Sequence, residues 1–197
     1  MHARYDVAID MEVAIAISDL DRAHRDARGI DALDEPDLLE QWRPLLDSVR
    51  AAADRVVVAD SLDTAAERVA LVGRACARCH EASSAKIRFR DLPAPQPNPK
   101  LIDDMRRHQW AGLEMWEGLI APDDKLWRAG ANDLTAMPPN ILAQAMTRSP
   151  ADDVDDVARI KLYATRALDT PTQDARATLF GHILATCAHC HATFRDR

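Results

Sequence analysis

Apolar residues recur at three- and four-residue intervals through most of the chain, the period of helices that bury one face. From Tyr5 to about Arg28, Ala8, Met11 and Ile15 form a stripe that Ile9, Val13 and Ile17 broaden, and Gly29 offers a stop. Asp34-Glu35-Pro36-Asp37 open a second stretch, in which Leu38, Trp42, Leu45, Val49, Ala52 and Val56 keep one face. Pro44 interrupts that stretch, which predicts either one kinked helix or a short helix followed by a longer one starting at the proline. Asp60-Ser61 supply an N-cap for a helix that carries Val69 and Val72 toward Cys76 and ends shortly beyond His80.

Between Leu92 and Pro99 proline occupies every second position, so the segment cannot be helical and reads as an extended, semi-rigid connector. It divides the chain into a first unit (residues 1–90), a connector (91–99) and a second unit (100–197). Leu101, Met105, His108, Gly112, Met115 and Leu119 then keep one helical stripe, Pro122 breaks or restarts it, and Leu126-Trp127 continue it. Pro138-Pro139 precede a short apolar turn from Ile141 to Met146, and Ser149-Pro150 start a helix bearing Val154, Val157, Ala164 and Leu168. Thr170-Pro171 cap the last helix, where Leu179, Phe180 and Ile183 lead to Cys187. Setting Met11 on Met115 aligns Met1 with Met105 and Ser18-Asp19 with Pro122-Asp123, and Pro44 and Pro150 fall at nearly the same place. The order of elements is the same in both halves, which predicts an internal duplication of about 100 residues. The expected fold is all-α, two tandem antiparallel units resembling four-helix bundles.

Composition agrees: only 6 glycines in 197 residues, with abundant alanine, leucine, arginine and acidic side chains, favour helix over sheet. Hydrophobic residues make up 47% and charged residues 29%, ordinary for a soluble globular protein. No apolar run approaches the length of a membrane span. The formal charge of -7 argues against nucleic acid and anionic membrane, and for a basic docking surface on any partner.

The chemistry lies in Cys76-Ala77-Arg78-Cys79-His80 and its second occurrence, Cys187-Ala188-His189-Cys190-His191. C-x-x-C-H is the attachment signature of c-type haem. On a helix the two sulfurs at i and i+3 and the imidazole at i+4 share one face. The thiols can then form thioethers to the two haem vinyl groups while the histidine rises beneath the iron. One such pentapeptide also reads as chance, a zinc half-site or a redox pair. Two copies, using all four cysteines and closing matching units, predict two covalently attached haems c, each with its iron. Disulfides are the other use of four cysteines in an exported chain, but they leave the following histidines unexplained. Met1 to Tyr5 lead straight into the amphipathic pattern with no visible leader. Covalent attachment takes place outside the bacterial cytoplasm, so the chain reads as a periplasmic protein whose leader has been removed.

Each motif closes its unit, and this placement resembles class II cytochromes c, the cytochrome c′ and c-556 group. Ala14-Ile15-Ala16-Ile17-Ser18-Asp19-Leu20-Asp21-Arg22-Ala23 is similar to the first helix of that family. The resemblance covers most of the chain twice and implies antiparallel four-helix bundles, which often dimerise, so a homodimer is a candidate state. By the motif, Cys76, Cys79, Cys187 and Cys190 are the thioether residues, and His80 and His191 the proximal ligands.

The sixth iron position decides function. In an up-down bundle the start of the first helix lies beside the end of the last. Met105 and His108 are therefore the candidates in the second unit, and Met1 and His2 in the first, with His108 ranked above Met105. The methionines also read as core filler, and an inward histidine also reads as hydrogen-bonded core. His24, His182 and His189 read as structural or exposed, Phe89, Phe180 and Phe194 as haem walls, and Trp42, Trp110, Trp116 and Trp127 as core or bundle interface. Arg88, Arg90 and Arg195 suit haem propionates or simply helix ends. The expected function is soluble electron transfer between redox proteins, the axial ligands setting the potential. The alternative is five-coordinate binding or sensing of NO or CO, as in cytochrome c′. A dihaem peroxidase needs acid–base groups beside an open haem, none of which is evident, so no enzymatic activity is expected. A zinc-binding structural protein is the last alternative.

Overall fold

The computed structural model describes residues 2–33, 38–90, 92–96, 101–136 and 152–195. These residues form an all-α chain: α1 (His2–Ala16), α2 (Leu20–Ala32), a 3-10 turn (Glu40–Trp42), α3 (Arg43–Val57), α4 (Leu62–Ser83), α5 (Leu101–Ile120), α6 (Asp124–Thr135), α7 (Asp152–Leu168) and α8 (Gln173–Arg195). No strand occurs among them, and none of these helices is long and apolar enough to cross a membrane.

The stretch from Tyr5 to Arg28, expected as one helix, is two. Ser18 takes a left-handed φ of 64°, and the Asp19 side chain caps α2 by accepting from Arg22 N at 2.9 Å. The matching turn between α5 and α6 has the same construction: Pro122 has a positive φ, and Asp123 accepts from Lys125 N and Leu126 N. Gly29, read as a stop, lies inside α2. A Cβ there would stand 3.3 Å from a Val7 methyl, so the glycine lets α1 and α2 approach. At Pro44 the second of the two expected outcomes holds. The 3-10 turn comes first, and the proline occupies the first turn of α3, where its missing N–H costs nothing. Ser61 caps α4 by accepting from Thr64 N. Leu92 to Gln96 carry neither helix nor strand. The rest of the connector, Asp34 to Asp37, Pro138-Pro139, the apolar turn at Ile141 to Met146 and Ser149-Pro150 lie outside the described residues.

Consecutive helices pack on each other from α1 to α4 and from α5 to α8, and α1 also meets α4 as α5 meets α8. The broadest joint between the two sets is α4 against α8, the helices that carry the two motifs. Gly181 makes this joint close, since a Cβ there would stand 3.1 Å from Glu67 Cα. Across its exposed edge Arg74 Nε donates to Asp174 at 2.6 Å. α1 meets α8 no less broadly than it meets α4, and α5 likewise meets α4. One hydrophobic core therefore runs through both sets, with Met11, Ile15, Trp116, Trp127 and Phe180 fully buried in it.

Candidate functional site

Both motifs lie near the C-terminal ends of long helices, α4 and α8, so each Cys-x-x-Cys-His presents its three functional side chains within little more than one turn. None of the four cysteines is in a disulfide. Burial pushes the thiols of Cys76 and Cys187 up to about 12. Burial also raises Cys79, against the nearby Arg4 guanidinium, which lowers it.

The two histidines are held alike, and from an unexpected quarter. His80 Nδ1 lies 2.9 Å from the carbonyl oxygen of Ile120, the last residue of α5. His191 Nδ1 lies 2.5 Å from the carbonyl oxygen of Ala16, the last residue of α1. A carbonyl only accepts, so Nδ1 donates in both rings and Nε2 is the nitrogen not engaged by these contacts. Burial lowers the His80 pKa, opposed by the bond to Ile120, which favours the neutral ring that can bind a metal. The Ser18 hydroxyl adds a second clamp on the α8 motif by donating to the Ala188 carbonyl at 2.5 Å. An up-down bundle places the start of the first helix beside each motif. Here the end of the other half's first helix is there as well.

Cys187, Cys190 and His191 line one apolar cavity of about 330 Å³. Ile9, Val13 and Ala16 of α1 and Ile17 just beyond it wall it on one side; Phe180, Ile183 and Leu184 of α8 and Val157 and Ile160 of α7 wall it on others. This explains why the apolar face of α1 is so broad: Ala8, Met11, Ala14 and Ile15 enter the core, while Ile9, Val13 and Ala16 face the cavity. Met105 and His108 line the same cavity from α5, so the structure brings both second-unit candidates together with the second motif. Met1 lies outside the described residues, as does the side chain of His2, the first residue of α1. Arg4, one turn further on, is the residue of α1 whose charge reaches Cys76 and Cys79.

Neither a family model, nor a curated protein, nor a solved structure matches this chain.

The remaining side chains sort by contact. His24 bonds the Ala59 carbonyl at 3.0 Å, His182 stacks on Tyr163, and the exposed His189 bonds Asp156, a carboxylate with 0% exposure. Trp116 and Trp127 are core, Trp110 donates to the Leu92 carbonyl, Trp42 is half-buried, and Arg88 and Arg90 are exposed. Phe180 walls the cavity and Phe89 packs on Tyr5, whereas the side chains of Phe194 and Arg195 lie outside the described residues.

Sequence reasoning missed Glu12. Its side chain lines the cavity beside Cys187, and burial raises its pKa to about 7. The available signal was one carboxylate set between Met11 and the apolar run Val13 to Ile17. Among the described residues no three His, Cys, Asp or Glu side chains converge to hold a bare metal ion. The residues of the second motif fit a haem: two thiols and an imidazole open on one apolar space, and Nε2, the nitrogen not engaged by the Ala16 carbonyl, would coordinate.

Proposed function

We propose that this chain is a dihaem c-type cytochrome that carries electrons, built as two tandem four-helix units like those of class II cytochromes c. The observation that carries the reading is the common setting of the two motif histidines. Each is fixed through Nδ1 by a helix-terminal carbonyl, and in the second motif the histidine shares its apolar cavity with both cysteines. In this reading Cys76 and Cys79, and Cys187 and Cys190, would hold the haems by adding S–H across their vinyl groups, with nothing leaving, and His80 and His191 would be the iron ligands. Haem, when bound, supplies a one-electron iron centre.

The chain's own residues set its properties. The Nδ1–H···O=C bonds fix each ring plane and make the imidazole a better donor. The apolar walls keep water from the second site. Met105 and His108, which line its cavity, would supply the sixth ligand there, and Met1 and His2 are their counterparts in the sequence of the first half. With a charge of -7 before the propionates, the partner is a redox protein with a basic docking surface, met in the periplasm after export.

The test is export of the chain with a haem-attachment system, followed by mass measurement and ferric and ferrous spectra with and without carbon monoxide. Two haems that acid-acetone does not extract, with low-spin bands indifferent to carbon monoxide, support electron transfer. A high-spin ferric signal that shifts with carbon monoxide replaces it with NO or CO binding, and a colourless chain removes both.

A further inference from the structure

The two longest-range contacts of the motif histidines connect the sites to each other. α5 begins at the second site, where Met105 and His108 line the cavity of Cys187, Cys190 and His191. It ends at the first, where the Ile120 carbonyl accepts from His80. α1 runs the other way. Near its start the Tyr5 hydroxyl bonds Glu117, in the last turn of α5 that holds His80, with the charge of Arg4 reaching Cys76 and Cys79, and it ends with the Ala16 carbonyl on His191. Both spans, Arg4 to Ala16 and His108 to Ile120, cover the same stretch of unbroken helix, about 18 Å at α-helical rise.

Each of these helices is continuous between its two site contacts. A hydrogen-bonded helix resists axial compression, so displacement at one end appears at the other unless neighbours yield. The neighbours of α5 are fitted closely: a Cβ on Gly118 would stand 2.4 Å from Trp127 N, and one on Gly130 2.2 Å from the Ala111 carbonyl. Tyr5 and Glu117 join the start of α1 to the end of α5 by a hydrogen bond. At the other end Ser18 ties the turn after α1 to the α8 motif.

We propose that the two motifs form one coupled unit. In it, α5 transmits the position of His80 to the ligand side of the second site, and α1 transmits that of His191 to the first. The coupling rests on the haem reading above. It goes beyond that reading, which needs only two sites that bind independently. A displacement of one motif histidine would move the helix whose terminal carbonyl it holds, and with it the groups that helix places at the other site. Charge acting through space changes the potential of the second haem but leaves its ligand geometry alone, so the two kinds of coupling are separable.

The test uses the full chain with both haems attached. His80→Met keeps an iron ligand at the first site but removes the Nδ1–H donor to Ile120. We expect the electron paramagnetic resonance g-values of the haem at Cys187 and Cys190 to shift in this variant. In the unsubstituted protein, half-reduction should likewise shift the g-values of the haem that remains ferric. Where His80→Met folds with two haems, it decides, and unchanged g-values at the second site overturn the coupling. Where it does not, the half-reduced protein decides by the same criterion. A chain that takes up no covalent haem overturns the functional reading itself, and the coupling with it.

Discussion

His191 Nδ1 and the Ala16 carbonyl oxygen lie 2.5 Å apart although 175 positions separate them in the chain. The contact closes the second motif with the end of the first helix, and the His80–Ile120 bond is its counterpart at the first motif. Under the alignment that sets Met11 on Met115, Ala16 and Ile120 are equivalent residues. The two sites are thus related by an exchange of helix ends, and the consequences can be measured with or without haem.

The Tyr5 hydroxyl donates to Glu117, which is 6% exposed, and joins α1 to α5. Burial raises the Glu117 pKa, and the bond from Tyr5 holds it down. Tyr5→Phe leaves that carboxylate without this donor, at a cost of about 1–3 kcal/mol. The folded pKa then rises further above the unfolded value. The loss is therefore small near pH 4, where both states are protonated, and full once pH has passed the folded pKa. Urea midpoints of the two chains at pH 4 and pH 8 test this, and an equal difference at both would refute it.

The cysteines predict slow chemistry. With Cys76 and Cys187 pushed up to about 12, against an ordinary 9.0, their thiolate population at pH 8 falls about a thousand-fold. Iodoacetamide should therefore modify these two only when urea unfolds the haem-free chain. Peptide mapping after timed alkylation reads it directly, and rapid native labelling at both would contradict the buried setting.

Much of this arrangement was legible in the residues, for identifiable reasons. Stripes such as Val49, Ala52 and Val56 mark a buried face because helix and core impose the same period. The break after Ala16 was hidden because Ser18-Asp19 contains neither glycine nor proline and the apolar period continues on both sides. At Pro122 the proline announced the equivalent turn. The motif residues could be named because thioether and imidazole chemistry needs those side chains. The carbonyls of Ala16 and Ile120 could not, since every residue has a carbonyl and only the packing of α1 on α8 and α5 on α4 selects these two.

Two glycines should respond in opposite directions to the same substitution. Gly130→Ala places a methyl 2.2 Å from the Ala111 carbonyl and 2.7 Å from Met115 Cγ, forcing α5 from α6. The expected loss is about 1–3 kcal/mol. Gly112→Ala meets nothing within 4 Å, because that position faces the cavity, and removes a flexible residue from mid-helix. It should stabilise the haem-free chain by about 0.5–1 kcal/mol. Urea denaturation with an unchanged slope checks both, and a destabilising Gly112→Ala would mean that the cavity wall is tighter than described.

Glu12 gives the chain a pH dependence opposite in sign to that of an ion-paired carboxylate. Its side chain is 9% exposed, and burial lifts its pKa from 4.5 to about 7. The folded state therefore holds a proton that the unfolded state releases between about pH 4.5 and pH 7. Folded-state protonation leaves stability intact below the unfolded value, and stability is lost as pH rises through the folded one. The full difference is on the order of 3 kcal/mol. Glu12→Gln keeps the shape and removes the titration, so the variant should match the parent near pH 4.5 and exceed it at pH 8. Comparing urea midpoints of the two haem-free chains across this range isolates the one carboxyl, because every other titrating group is shared. Parallel curves would show that Glu12 ionises freely, and the cavity beside Cys187 would then have to be wet. A widening gap with rising pH would establish that the space enclosed by α1, α5 and α8 excludes water in the chain without any bound group.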